Sequence, residues 1–282
     1  MRLTIVVPML ALLAGTLTPA EAAVLDRVKE TGSLRLGYRL DTEPFSYNDS
    51  SGLPAGYSVE LCKAVADAVR EATGRSDLRL DWREVTATDR FATLARGEVD
   101  LLCSADTMTL SRREQVAFSA LTFVTGAILL YRTDAPVSFT ELSGQKVGVR
   151  AGTTTEAGLR KGLADAGIAA EVVPVASHEE GVRRLAAGEF AGYFGDASIL
   201  IFQLAKSPDK QRLKLANQPL TFEPYALPLP RGDEDFRLLV DRTLARLYGS
   251  GEIERVFTAV FGAEARPPEF LKALYLLNAP PE

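Results

Sequence analysis

Apolar residues along this chain recur with two spacings, and the two alternate. Short runs such as "SLRLGYR", "LRLDWREV", "EVDLLCSA" and "FVTGAILLYR" read as strands. Between them, "GYSVELCKAVADAVREATG" places Cys62, Val65, Ala66 and Val69 on one face of a helix, and "DRFATLARG" and "SRREQVAFS" read as further helices. After "RTDAPVSFTELSGQ" the series restarts with strands "KVGVRAG", "AEVVPVA" and "EFAGYFGD", separated by helices "TTEAGLRKGLADAG" and "HEEGVRRLAAG" and followed by "ASILIFQLAK". Strand and helix in alternation predict an α/β fold with a mostly parallel sheet, and the restart predicts two lobes. The stretch "TFEPYALPLPRGDEDFRLLVDRTLARLYGSG" adds an extended segment and a long amphipathic helix carrying Leu238, Leu239, Arg242 and Leu247, which returns most simply to the first lobe. Two extended connections between lobes leave a cleft, where small ligands bind. The closing "RPPEFLKALYLLNAPPE" carries no signal that places it on either lobe.

The N-terminus changes the picture. One arginine precedes an apolar run from Leu3 to about Leu17, and Ala20, Glu21 and Ala22 follow with the small residues a signal peptidase accepts. A secretory signal over 1–22 is expected; the run is short, contains Pro8, and falls below the ~18 apolar residues of a spanning helix. The mature chain is then exported, into a bacterial periplasm. Its net charge of −5 over 282 residues argues against nucleic acid as a partner. In an oxidising compartment Cys62 and Cys103, both pointing inward, leave two readings open: one disulfide, or two buried free thiols. Neither has a His or second Cys at metal spacing, so no metal, cofactor or catalytic thiol is expected.

Helix starts carry the candidate chemistry. Ser177 with Glu180, Ser111 with Glu114 and Thr153 with Glu156 have the S/T-x-x-E pattern of a capping box, and Asp89 reads as a further N-cap. His178 (the only histidine), Arg112 and Arg90 then open their helices, where the macrodipole disfavours a cation by roughly 0.3–1 kcal/mol. Three such placements after predicted strands point to an anion in front of them, where α/β folds place anionic ligands. Three solvated side chains at helix boundaries are the plainer reading.

Four segments in order and spacing, "GYSVELCKAVADAV", "GEVDLLCSADTMTLSRREQVAFS", "GQKVGVRAGTTTE" and "GEFAGYFGD", resemble the periplasmic amino-acid-binding proteins of ABC importers, solute-binding family 3, and within it the glutamate/aspartate-binding branch. The resemblance spans the mature chain. It implies the two-lobed type 2 periplasmic-binding-protein fold: two mixed sheets joined by two hinge strands, with 23–131 and 226–282 in the first lobe and 132–225 in the second. It implies a non-enzymatic receptor, expected as a monomer, whose partners are a small-molecule amino acid and a membrane ABC permease complex. Arg112 would hold the α-carboxylate with the Thr107 hydroxyl and the backbone N–H groups of Thr153 and Thr154. Asp196 and the Ala105 carbonyl would meet the α-ammonium. Arg39, Arg90 and His178 would take the side-chain carboxylate, since a carboxylate removed from water must be paired.

Two departures bear on this expectation. The branch's serine before Arg90 is Ala87 here, with Thr86 beside it as the substitute hydroxyl, which leaves room for a neutral solute such as glutamine. Ser58 stands where the family pattern prefers an acidic residue, and reads as an N-cap. A rival of another class is a periplasmic dehydratase on the same scaffold; such enzymes resemble this chain but place a glutamate where Asp196 lies.

Overall fold

The computed structural model describes residues 23–281, so the expected leader over 1–22 lies outside the described residues. The first lobe begins with α1 (Val24–Thr31), β1 (Ser33–Tyr38), the short pair β2 (Tyr47–Asn48) and β3 (Pro54–Ala55), α2 (Tyr57–Thr73), β4 (Arg79–Glu84), α3 (Arg90–Ala95) and β5 (Leu101–Leu102). The chain leaves it through β6 (Ala117–Thr125). The second lobe holds β7 (Ala127–Arg132), β8 (Lys146–Arg150), α4 (Thr154–Asp165), β9 (Glu171–Val175), α5 (His178–Ala186), β10 (Gly192–Asp196), α6 (Ala197–Lys206) and β11 (Leu213–Leu215). The chain returns through β12 (Glu223–Leu229) to α7 (Glu234–Gly249), α8 (Glu252–Phe261) and α9 (Glu269–Leu277).

Parallel strands in the order β4-β1-β5 form the first sheet, and the second is mixed in the order β11-β7-β10-β8-β9. A separate antiparallel pair, β6 with β12, joins the lobes, from Ala117 opposite Leu229 to Thr125 opposite Glu223. The run "FVTGAILLYR", read as one strand, divides at Gly126 between this pair and the second sheet. A Cβ at Gly126 would lie 2.5 Å from the Thr221 carbonyl oxygen, so the residue that lets the chain turn must be glycine. Ala127–Arg132 therefore pairs within the second sheet, ahead of the division expected at 131.

The first core is assembled from both ends of the chain: Val28, Leu36 and Val65 pack with Phe236, Leu244, Phe257 and Leu271. In the second lobe β10 alternates, Tyr193 facing α5 and α6 among Val182, Leu185 and Leu200, and Phe194 facing α4 among Leu159 and Leu163. The closing stretch forms α9 and belongs to the first lobe: Leu271 and Tyr275 are buried, and the Tyr275 and Tyr57 hydroxyls are 2.7 Å apart. Cys62 on α2 and Cys103 just past β5 form a disulfide across 41 residues of sequence, with Cα atoms 6.0 Å apart.

Local signals gave way in two places. "SRREQVAFS" is a three-residue 3₁₀ turn at Arg112–Glu114, because Val116 and Phe118 are drawn into the first lobe's core as β6 begins. Ser111 makes no capping bond; the Thr109 hydroxyl accepts the Arg112 N–H instead, at 3.1 Å. Before α2, Gly56 rather than Ser58 is the N-cap, at φ +120°, where a Cβ would lie 2.5 Å from the Phe45 carbonyl.

Candidate functional site

The lobes meet face to face. Arg150 at the end of β8 donates to Asp41 of the first lobe at 2.6 Å, Lys206 pairs with Glu43, and Phe202 meets Phe261 edge to face at 5.7 Å. Thr154 and Thr107, one from each lobe, have hydroxyls 3.3 Å apart.

Between the lobes lies a cavity of about 20 Å³, lined by Arg39, Arg90, Ala105, Thr107, Arg112, Thr153, Thr154, Thr155, His178, Asp196 and Ile199. That is room for about one water and not for an amino acid, so entry requires the lobes to part about β6 and β12. The structure thus gathers every expected site residue except Thr86. Thr86 is exposed: its hydroxyl accepts the Asp89 and Thr88 N–H groups, each at 3.3 Å, in the turn before α3. Asp89 does not cap α3 with its side chain, which accepts the Thr86 N–H at 2.8 Å. Thr155 and Ile199 were not anticipated. A larger surface groove of about 790 Å³ lies along α7 near Leu238, Leu239 and Arg242, but the charged groups converge on the small buried cavity, which we take as the site.

Each polar group in the cleft has a structural reason for its position. On α5 the Ser177 hydroxyl accepts the Glu180 N–H at 3.1 Å, and the Glu180 carboxylate accepts the Ala176 N–H at 2.9 Å, which fixes His178 at the first helical position. The His178 ring stands 3.0 Å through Nδ1 from the Tyr193 hydroxyl. This depends on Gly181, since a Cβ there would lie 2.1 Å from the Tyr193 ring. Burial pushes the His178 pKa down to about 3, with Asp41 opposing and Arg39 and Arg150 adding to the shift. The imidazole is therefore neutral at pH 7, and in the tautomer that accepts the Tyr193 hydroxyl at Nδ1 its Nε2–H is the donor toward the cleft.

Thr153 caps α4, accepting the Glu156 N–H at 3.1 Å, and the first N–H groups of this 12-residue helix have no intrahelical acceptor. The Asp196 carboxylate, buried at the end of β10, accepts from the Thr155 hydroxyl at 2.8 Å and from the Tyr225 hydroxyl. Its pKa is raised, first by burial and then by the neighbouring Glu223 carboxylate, so the ionised form is under-compensated by the protein's own groups. Glu223 itself sits at the hinge, accepting from Thr107 at 2.5 Å, Thr154 at 2.6 Å and Thr221 at 2.6 Å.

The arginines carry less of the helix-start argument than expected. Arg112 opens only a three-residue turn and Arg90 a six-residue helix, too short for a developed macrodipole. What holds them is side-chain chemistry. Arg112 donates to the Thr107 carbonyl at 2.7 Å and lies over the Phe91 ring at 4.9 Å. Arg90, 2% exposed, pairs with the fully buried Asp106 and donates to the Ala87 carbonyl. Arg39 donates through Nε to Asp41 at 3.0 Å; its buried Nη2 lies 2.8 Å from the same carboxylate without hydrogen-bonding geometry and has no hydrogen-bond acceptor among the described residues. Asp41, whose carboxyl is held down to about 2 against burial by Arg39, His178 and Arg150, was missed from the sequence, as were Asp106, Arg150 and Glu223. The one available signal was proximity: Asp41 is two residues from Arg39, in the bend that follows β1.

Residues 34–263 match the bacterial extracellular solute-binding proteins, family 3. A glutamate/aspartate import solute-binding protein of Salmonella typhimurium is 30% identical over 261 residues, covering 92% of this chain and 86% of that one. An L-glutamate/L-aspartate-binding protein of Pseudomonas aeruginosa is 31% identical over 249 residues, covering 88% and 82%. Among solved structures, a mutant of ArgBP from T. maritima superposes with a TM-score of 0.74 at 25% identity, covering 84% of this chain and 99% of that one.

Proposed function

The chain belongs to family 3 of the bacterial extracellular solute-binding proteins, and from that premise we propose that its cleft captures an acidic amino acid, glutamate or aspartate, for delivery to a membrane ABC permease. As a member of a solute-binding family it is a transport receptor and not an enzyme. The relatives named for glutamate and aspartate support the choice of solute.

The observation that carries the reading is the convergence, from both lobes, of groups matched to each end of such a solute. Arg112 and the open N–H groups at the start of α4 suit an α-carboxylate; a guanidinium fork fits it better than an ammonium would. Asp196, buried and under-compensated, suits an α-ammonium, and Ala105 lines the same cavity. For the side chain there remain Arg39, Arg90 and His178. Ligand contacts made by both lobes at once stabilise the closed form, which is a hinge-closure switch.

A second reading, glutamine as solute, has one observation in its favour: Arg39 and Arg90 each already face a carboxylate, Asp41 and Asp106. The charge balance favours the acid. Arg39, Arg90 and Arg150 against Asp41 and Asp106 leave one positive charge at this end of the cleft, which one side-chain carboxylate neutralises. Calorimetric titration with glutamate, aspartate, glutamine and histidine tests the proposal. Arg112→Ala is expected to abolish binding of all four, and Arg90→Ala or His178→Ala to narrow the differences among them. Equal affinity of the unaltered protein for the four solutes would reject an acidic ligand.

A further inference from the structure

We propose that Arg150 sets the preference of the cleft for a carboxylate over a carboxamide, acting through Asp41 and Arg39 rather than by touching the solute. The inference rests on the acidic-amino-acid reading and goes beyond it, because Arg150 does not line the cavity.

Arg150 is 8% exposed and held at the end of β8, its Nη1 donating to the carbonyls of Ala151 at 3.2 Å and Val175 at 3.4 Å and its Nε to Asp41 Oδ2 at 2.6 Å. The other oxygen of Asp41 accepts from Arg39. One carboxylate is thus divided between guanidiniums of opposite lobes. Two positive charges thus share one negative charge, and Arg39 Nη2, 2.8 Å from Asp41 Oδ1, makes an ion pair with it but no hydrogen bond. Arg90 is matched by its own partner, Asp106.

Without Arg150 this end of the cleft would hold two guanidiniums and two carboxylates. A neutral set of that kind offers donors to an amide oxygen and acceptors to an amide nitrogen, and suits a carboxamide. The third guanidinium leaves one positive charge uncompensated, and a buried uncompensated charge is costly until an opposite charge arrives. A solute carboxylate supplies it; a carboxamide does not. Since Arg150 belongs to the second lobe and Asp41 to the first, this charge is delivered only when the lobes meet, so the solute's charge is tested on closure.

A plain latch between the lobes would act differently, by favouring closure on every solute alike. The ratio of glutamate to glutamine affinity separates the two roles. Full-length protein carrying Arg150→Met, Arg150→Lys or Asp41→Asn is titrated calorimetrically with both solutes, with thermal unfolding as a check on folding. Arg150→Met is expected to lower the ratio by about tenfold or more, the scale of one unit charge acting at about 10 Å through an effective dielectric of about 20. Arg150→Lys is expected to restore most of the ratio. Asp41→Asn, which leaves more positive charge uncompensated, is expected to raise it, and decides the matter alone should Arg150→Met not fold. Equal losses for both solutes in Arg150→Met and Asp41→Asn, with the ratio unchanged, would reduce Arg150 to a latch and overturn the proposal while the acidic reading stands. If the unaltered protein binds glutamine as well as glutamate, the acidic reading falls and this proposal with it.

Discussion

Replacing Asp196 by asparagine should weaken solute binding and stabilise the empty protein at the same time. The carboxylate is buried, receives hydroxyl hydrogen bonds from Thr155 and Tyr225, and among the described residues has no cationic partner within hydrogen-bonding reach. Burial and the charge of Glu223 raise its pKa. A group whose folded-state pKa lies above its unfolded value contributes stability at low pH and loses it as pH rises through the folded value. At neutral pH the protein without added solute therefore carries the ionised group at a cost. Asparagine keeps an acceptor for one hydroxyl and removes the charge; with the carboxyl raised from 3.8 to about 6, that relief is about 3 kcal/mol. In a domain of this size that raises Tm by roughly 2–4 °C per kcal/mol. Binding moves the other way. Removing one partner of a buried charge pair costs about 2–5 kcal/mol, which at 1.4 kcal/mol per tenfold raises Kd by roughly 30- to 4,000-fold. Thermal unfolding without solute and calorimetry with glutamate, on the same two proteins at pH 7.5, measure both quantities. A Tm that falls together with affinity would refute the electrostatic reasoning and make Asp196 a structural acceptor. Unchanged affinity would remove it from the ammonium site.

Two further outcomes follow from other parts of the molecule. Replacing Cys62 and Cys103 by alanine frees a loop of 41 residues in the unfolded chain, for a loss of about 4 kcal/mol by loop entropy, and urea unfolding of the double variant should show it; a loss under about 1 kcal/mol would mean that the bridge adds little constraint. With its pKa lowered to about 3, His178 contributes stability that is full above about 6.5 and falls as pH drops toward 3. Between pH 7 and pH 4.5 the native protein should lose about 3 kcal/mol more than His178→Gln does in urea titrations, and parallel losses in the two would show that the imidazole is not buried neutral.

Legibility from the sequence tracked how local each cause is. The caps of α4 and α5 were readable at Thr153 and Ser177 because donor and acceptor lie within four residues of each other. The supposed box at Ser111 failed because the following residues, Val116 and Phe118, are claimed by a core that only the whole fold creates. The break at Gly126 was invisible for the same reason, its cause being the Thr221 carbonyl nearly a hundred residues away. In the cleft, the residues that face the cavity were found through resemblance, and the groups that neutralise them were not. Asp41 and Asp106 stand beside Arg39 and Thr107 in sequence, yet what each does depends on a guanidinium brought near by folding, Arg150 in one case and Arg90 in the other. Charge compensation leaves no periodic trace.

The first core is built from both ends of the chain, with Val28 and Leu36 packed against Phe236 and Leu271. A chain that emerges from its N-terminus forward cannot complete this half until nearly its last residues are out. The middle segment, continuous between the two crossing strands, is free to finish first. Connectivity therefore sets an order: the segment of the second lobe is complete well before the first core can close, and until both are formed the cleft has only one wall.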